Sequence, residues 1–240
     1  MNGRIRFLSW NIHGGIGSDG DYDLSRIVDL IARHDPDIIA LQEVDSRGRS
    51  GDELPFPFLC KTLGEYAVEG RTLSAPDGHY GHCIISRFPL RRMAVHNLSF
   101  SAREPRCAIV ANVETACGWF RLVTTHLGLG ILERRAQAAR LAQLASEVKG
   151  PCVLMGDFND WFAFGRVRRS LKRVMPARTM ERTFPSFLPL LRLDRVYCNA
   201  QARLIASWTD KDAAIASDHL PIIADVEIGG NTSAGVPHPA

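Results

Sequence analysis

The chain has 240 residues, 45% hydrophobic and 23% charged, with a formal net charge of +3. That length supports one large core or two small ones, the composition excludes a disordered or fibrous chain, and so small a net charge does not by itself announce a polyanionic partner. Apolar runs are short and interrupted, well below the roughly 20 residues of a bilayer span, and the six cysteines form no C-x-x-C pair, so they read as small buried hydrophobes rather than zinc ligands or a disulfide framework.

The opening "MNGRIRFLSWN" passes almost directly into an alternating strand, Ile5 to Asn11, with no basic and apolar leader, which predicts a cytoplasmic protein. A helix follows behind Asp23 as N-cap, with Leu24, Ile27, Val28 and Ile31 on one face. Strands are predicted near Asp37 to Gln42, Tyr66 to Arg71, His82 to Ser86, Met93 to Phe100, Cys107 to Glu114 and Trp119 to Thr125. A second helix runs from about Leu132 to Val148, places Ala138, Leu141, Leu144, Ala145 and Val148 on one stripe, and stops at "GP". Beyond it come a buried strand from Cys152 to Gly156, a less regular helix from Gly165 to Val174, and strands at Leu193 to Cys198, Arg203 to Trp208 and Pro221 to Ile228. The last dozen residues have no periodicity, so the reading is one domain over 1–228 and a flexible tail over 229–240. So many strands with few helices fit two mixed sheets packed face to face with helices outside, an α+β sandwich, because a single open sheet of that size tends to curl or split.

Polar residues gather where these strands stop. Asn11 follows "FLSW", Glu43 follows "IIALQ", His126 follows "LVTT", Asp157 and Asn159 follow "CVLM", and "SDHLP" sets Asp218 and His219 before the final strand. Singly, Asn11 could cap a turn, Glu43 could be solvated, His126 could be a satisfied core histidine and Asp218 could begin a turn. Together they suit one chemistry. Glu43, Asp157, Asn11 and Asn159 offer hard oxygen donors that favour Mg²⁺ or Mn²⁺, and His126 and His219 can change charge near neutral pH. Those are the parts that phosphate ester hydrolysis requires, where negative charge is neutralised while water attacks and an alkoxide leaves.

The segments "SWNIHG", "LQEVD", "HCIISRFP", "TTHLG", "GDFND", "LRLDRVY" and "SDHLPI", in this order and over nearly the whole chain, resemble the endonuclease/exonuclease/phosphatase family, which includes pancreatic deoxyribonuclease, apurinic endonucleases, neutral sphingomyelinases and inositol polyphosphate 5-phosphatases. The resemblance implies a four-layer α/β/β/α sandwich and a divalent-metal phosphoesterase site at one end. It implies Glu43 as the main metal ligand with Asn11 beside it, Asp157 as the group orienting or deprotonating water, and Asn159 as a holder of phosphate or of that Asp. His219 would act at the phosphorus with Asp194 fixing its tautomer, and Asp218 would be a further acid at the metal. His126 matches the deoxyribonuclease, sphingomyelinase and 5-phosphatase branches, where apurinic endonucleases carry a tyrosine. His82 departs from the "GNAILSRFP" common among relatives and would either pack or contact substrate near His126.

The substrate is less legible. Arg103 and Arg106 could pair with phosphate or be solvated. The basic stretch "RVRRSLKRVMPARTMER" could follow a nucleic-acid backbone, approach anionic lipid, or simply be a solvated face. "TFPSFLPLL" could form an apolar rim, although its prolines and the adjacent strand favour core packing, and Trp161 and Phe164 could stack on a base or fill the core. The expectation is a monomeric, nuclease-like phosphodiesterase, with action on a phospholipid headgroup, inositol phosphate or other small phosphorylated metabolite as the alternative, and a non-catalytic binding protein as a third reading.

Overall fold

The computed structural model describes residues 3–49, 54–161 and 165–229. In chain order the elements are β1 (Gly3–Asn11), α1 (Leu24–Ala32), β2 (Ile38–Asp45), α2 (Pro55–Leu63), β3 (Tyr66–Ala75), β4 (Gly78–Ser86), β5 (Leu90–Asn97) and β6 (Cys107–Thr115). They continue as β7 (Gly118–His126), α3 (Ile131–Ser146), β8 (Cys152–Asp157), α4 (Arg166–Leu171), β9 (Ala177–Arg178), β10 (Asp194–Cys198), β11 (Ala202–Thr209) and β12 (Ile222–Ile228). Two six-stranded sheets result, ordered β11-β12-β1-β2-β4-β3 and β5-β6-β7-β8-β10-β9.

Each sheet is built around one parallel pair. β1 runs beside β2 and β7 beside β8, joined across α1 and α3 respectively, while the other named pairings are antiparallel. A parallel pair needs a crossover that returns the chain to the starting end, so the carboxyl ends of β1 and β2 coincide, as do those of β7 and β8. β12 is antiparallel to β1, with Ser9 opposite Ile222 and Gly3 opposite Ile228. The residues just before β12 therefore also reach the carboxyl end of β1.

Strand alternation sends successive side chains to opposite faces, and this produces three apolar layers between four layers of structure. Ile5 and Phe7 join Ile109, Phe120, Leu122, Val153, Met155 and Val196 between the sheets. Leu8 and Trp10 face the other way and pack with Ile27 and Ile31 of α1, Leu41, and Phe56 and Leu59 of α2. Val123 and Leu154 likewise face Leu141 and Leu144 of α3, Phe158, Val167, Leu171 and Tyr197. The result is an α+β, four-layer sandwich. Asp23 does cap α1, its side chain accepting from Arg26 N.

Several expectations are revised. α2 is a helix that the sequence reading passes over, because prolines 55 and 57 look like loop signals; a proline in the first turn lacks only a donor that has no partner there anyway. The loop "TFPSFLPLL" is not core, since Phe187, Leu188 and Leu190 are 82%, 56% and 54% exposed. Trp161 is half exposed, whereas Phe164 and the tail beyond Gly229 lie outside the described residues. Cys83, Cys107, Cys152 and Cys198 are buried and Cys60 and Cys117 partly so, all unbridged.

Candidate active site

Asn11, His126 and Asp157 are the last residues of β1, β7 and β8, so the two parallel pairs deliver them to one end of the sandwich. Glu43 arrives differently from the expected strand terminus. It lies inside β2 at a shift in register between Leu41 and Val44 against β4, with φ of 56°. A bulge of this kind inserts a residue and re-aims its side chain, and the left-handed backbone costs a non-glycine residue conformational energy. Asp157 has its own device in Gly156, at φ of 145°. A Cβ there would lie 1.9 Å from the Thr125 carbonyl oxygen, so only glycine lets β8 approach β7 so closely one residue before the acid. Asp194 opens β10 directly opposite Asp157.

The side chains converge on Asp157, which is 1% exposed. Asn11 Nδ2 donates to Glu43 Oε1 at 2.8 Å and to Asp157 Oδ2 at 3.2 Å, so one amide joins the two carboxylates. His126 Nε2 stands 3.5 Å and His219 Nε2 3.9 Å from the same Asp157 oxygen. The backbone N–H of Asn159 donates to Asp157 Oδ1 at 2.9 Å, and the Asn159 amide donates to the Leu127 carbonyl at 2.9 Å, which ties the turn to the end of β7. Burial, then the nearby Asp194 charge, push the Asp157 pKa up to about 7 against the pull of His219 and its hydrogen bonds.

The two histidines are fixed from behind by different partners. His219 Nδ1 pairs with Asp194 Oδ2 at 2.8 Å, and that oxygen also accepts from Thr183 Oγ1 at 2.6 Å. Burial disfavours the charged ring, but Asp194, Asp157 and Asp218 outweigh it and raise the His219 pKa to about 10. His126 Nδ1 faces Arg106 Nη1 at 3.3 Å. A guanidinium only donates, so Nδ1 accepts and the neutral ring carries its proton on Nε2. Burial first, then the Arg106 charge, hold the His126 pKa well below its ordinary value.

Two candidate substrate contacts are placed elsewhere. His82 is 1% exposed, with Nδ1 3.7 Å from Cys107 Sγ and Nε2 without a partner. This enclosure makes it a packing residue rather than a substrate contact. Arg106 is 6% exposed and shared between His126 and Glu104, 2.9 Å away, so it backs the histidine rather than reaching outward. Asp218 is brought to the edge of the site, where its half-exposed carboxylate meets His13 Nδ1 at 3.2 Å. The sequence reading missed His13, although it stands in the quoted "SWNIHG". It also missed Thr183, which carries no motif, and Ser217, whose hydroxyl donates to the Asn11 carbonyl at 2.7 Å.

Two donor groups could hold a cation. Asp157, Asp194 and His219 form, among the described residues, a set whose ligand atoms lie within 4.8 Å of one another. His219 Nδ1 and Asp194 Oδ2 are already committed to each other, and Asp194 is fully buried, its Oδ1 without a partner. Glu43 is different: 28% of its side chain is open, and its carboxylate and that of Asp157 are bridged by the Asn11 Nδ2 rather than by another acid. Two carboxylates meeting at one amide leave uncompensated negative charge, which a hard divalent ion fits.

The Endonuclease/Exonuclease/phosphatase family sequence model matches residues 8–219. The Escherichia coli K12 protein YbhP is 30% identical over 250 aligned positions, covering 93% of this chain and 96% of its own. Among solved structures, an endonuclease/exonuclease/phosphatase from Bacteroides vulgatus superposes with a TM-score of 0.77 at 20% identity, over 94% of this chain and 99% of that one. TDP2 from D. rerio, complexed with a single-strand DNA product, gives 0.70 at 16% identity, over 93% and 98%. A family match spanning both parallel pairs and every converging side chain makes this chain a member of the endonuclease/exonuclease/phosphatase family.

Proposed function

We propose that the protein is a phosphoester hydrolase, dependent on Mg²⁺ or Mn²⁺, that cleaves phosphodiesters by attack of water. The observation that carries the reading is the convergence of Asn11 Nδ2, His126 Nε2 and His219 Nε2 on one oxygen of Asp157, at 3.2, 3.5 and 3.9 Å. Glu43, with Asn11, would hold the cation, which when bound neutralises charge on the phosphate.

Asp157, with its proton affinity brought near neutrality, is suited to accept the proton of the attacking water, because a general base works best with a pKa near the working pH. Asn159 fixes the orientation of its carboxylate. His219, held as an imidazolium by Asp194, supplies positive charge and a donor for the phosphate or the departing oxygen. His126, neutral and protonated at Nε2, supplies a second donor. Asp218 adds an acid at the rim. A neighbour of this fold holds a single-strand DNA product, which supports nucleic acid as the first polymer to try. The exposed apolar loop before β10 favours a second reading, hydrolysis of a phosphate ester presented by lipid.

The experiment is hydrolysis of bis(p-nitrophenyl) phosphate by chelator-treated protein with magnesium, manganese or zinc restored. Activity should vanish on chelation and return with magnesium or manganese. Full turnover after exhaustive chelation, or rescue by zinc alone, would overturn the reading.

A further inference from the structure

The loop between β9 and β10 has a base tied to the site and a tip open to water. At its base Thr183 bonds Asp194, and the Phe184 ring lies 4.8 Å from the His219 ring. Ser186 N donates to the Asp218 carbonyl at 2.7 Å, and Leu220 N donates to the Thr183 carbonyl at 2.8 Å. The turn is closed by Leu190 N and Leu191 N, which donate to the Phe184 carbonyl at 2.9 and 2.8 Å. The loop is therefore well bonded, yet Phe187 stays almost wholly exposed and Leu188 and Leu190 more than half so. Ser186 Oγ reaches the Ala214 carbonyl at 3.5 Å, which brings in Ile215 as a fourth exposed apolar side chain.

Charge is concentrated in the same stretch of sequence. Residues 166–195 hold nine of the 29 basic side chains and only two of the 26 acidic ones, so the remainder of the chain is net acidic although the whole is +3. Of those two acids, Asp194 is buried on His219, and Glu181 accepts from Ser207 Oγ at 2.7 Å; of the basic side chains Arg195 is buried and donates to the Thr179 carbonyl. Arg182, at the start of the loop, is exposed.

We propose that this loop docks the protein on an anionic phospholipid bilayer, with Phe187 and Leu188 entering the interface and Arg182 and Arg192, which flank the loop in sequence, meeting the headgroups. Basic side chains beside exposed apolar ones are what an anionic membrane surface attracts. Single-stranded nucleic acid fits less well, because bases stack on aromatic faces, and three of the four apolar side chains here are aliphatic. As a docking surface the loop goes beyond the hydrolase reading and stands without it. If both hold, the substrate is a phosphate ester carried by the membrane to which the loop binds.

The test is co-sedimentation of the full chain with vesicles of phosphatidylcholine, with or without phosphatidylglycerol. Partitioning should be about tenfold or more higher on the anionic vesicles. Phe187→Ser with Leu188→Ser should lower it by about tenfold or more per side chain, without altering turnover of a soluble phosphodiester. Phe187→Trp should add fluorescence that shifts to the blue on anionic vesicles and is quenched by brominated lipid, and this variant decides the matter if the double serine variant melts early. The proposal is overturned by equal partitioning on neutral vesicles, by undiminished binding of the serine variant, by an indole that lipid does not quench, or by binding to a single-stranded oligonucleotide in place of vesicles. Vesicle binding without hydrolysis would defeat only the hydrolase reading, and hydrolysis without vesicle binding only the docking.

Discussion

His219 and His126 flank the same oxygen of Asp157, and each has 6% of its side chain exposed, but the chain drives their charge in opposite directions. Burial alone would lower both pKa values, because it disfavours the charged ring. What differs is the group at Nδ1. Behind His219 stands the carboxylate of Asp194, itself anchored by Thr183, and behind His126 stands the guanidinium of Arg106. The pair shows that one residue type at one depth can serve as a fixed cation or a fixed neutral donor, according to a neighbour that need not touch substrate.

The largest expected effect comes from removing the atom the two corners share. Asp157→Asn should lower kcat by about 10⁴-fold, the upper range for loss of a general base, with the thermal melt nearly unchanged. Steady-state kinetics on a soluble phosphodiester checks this, and a loss under tenfold would leave the histidines without a common target.

Removing the support of the cationic corner should come next. Asp194→Asn is expected to cut turnover by about 10²- to 10³-fold and to add little to the loss in His219→Ala, because groups acting as a unit are non-additive. Multiplicative losses in the double variant would separate the two residues.

The neutral corner is tested by pH. The pKa of His82 falls from 6.5 to about 4, chiefly through burial, with the Arg106 charge acting in the same direction. The unfolded chain binds this proton near 6.5 and the folded chain only near 4, so stability is complete above 6.5, declines as pH falls through the interval, and is lower by about 3 kcal/mol below it. His82→Asn should flatten that decline in urea unfolding measured between pH 4 and 7. A slope unchanged by the substitution would assign the acid sensitivity elsewhere.

The smallest effect sharpens the contrast itself. Arg106→Leu removes the positive neighbour and should raise the His126 pKa while leaving His219 unmoved. The imidazole resonances followed by NMR against pH distinguish the two rings.

Much of this was legible because strand ends and polar residues coincide in the sequence. Asn11, His126 and Asp157 each close an apolar run, and alternation along β1 and β7 foretold buried faces. Glu43 was legible as a residue but not as a bulge, since nothing in "LQEVD" marks a shift of register against a strand 40 residues away. The prolines of α2 concealed a helix, as their effect depends on whether they fall in its first turn. Arg106 could not be told from a solvated arginine, because its burial is set by His126 and Glu104 rather than by its own neighbours in sequence. The apolar loop was misjudged for the opposite reason: apolar side chains normally seek a core, and here the backbone bonds hold them outside it.

The pairing of β1 with β12 has a consequence for how the chain comes into being. β1 leaves the ribosome before the other described strands, and it holds an interior place in its sheet between β2 and β12, which leaves after them. Until β12 emerges, one edge of β1 stays unpaired and the apolar layers on both its faces are incomplete, a condition that invites association with other chains. His219 stands three positions before the first residue of β12, so the site closes in the same event that seals the sheet. A chain cut short before His219 and β12 therefore has neither a finished sandwich nor a complete constellation of side chains at Asp157.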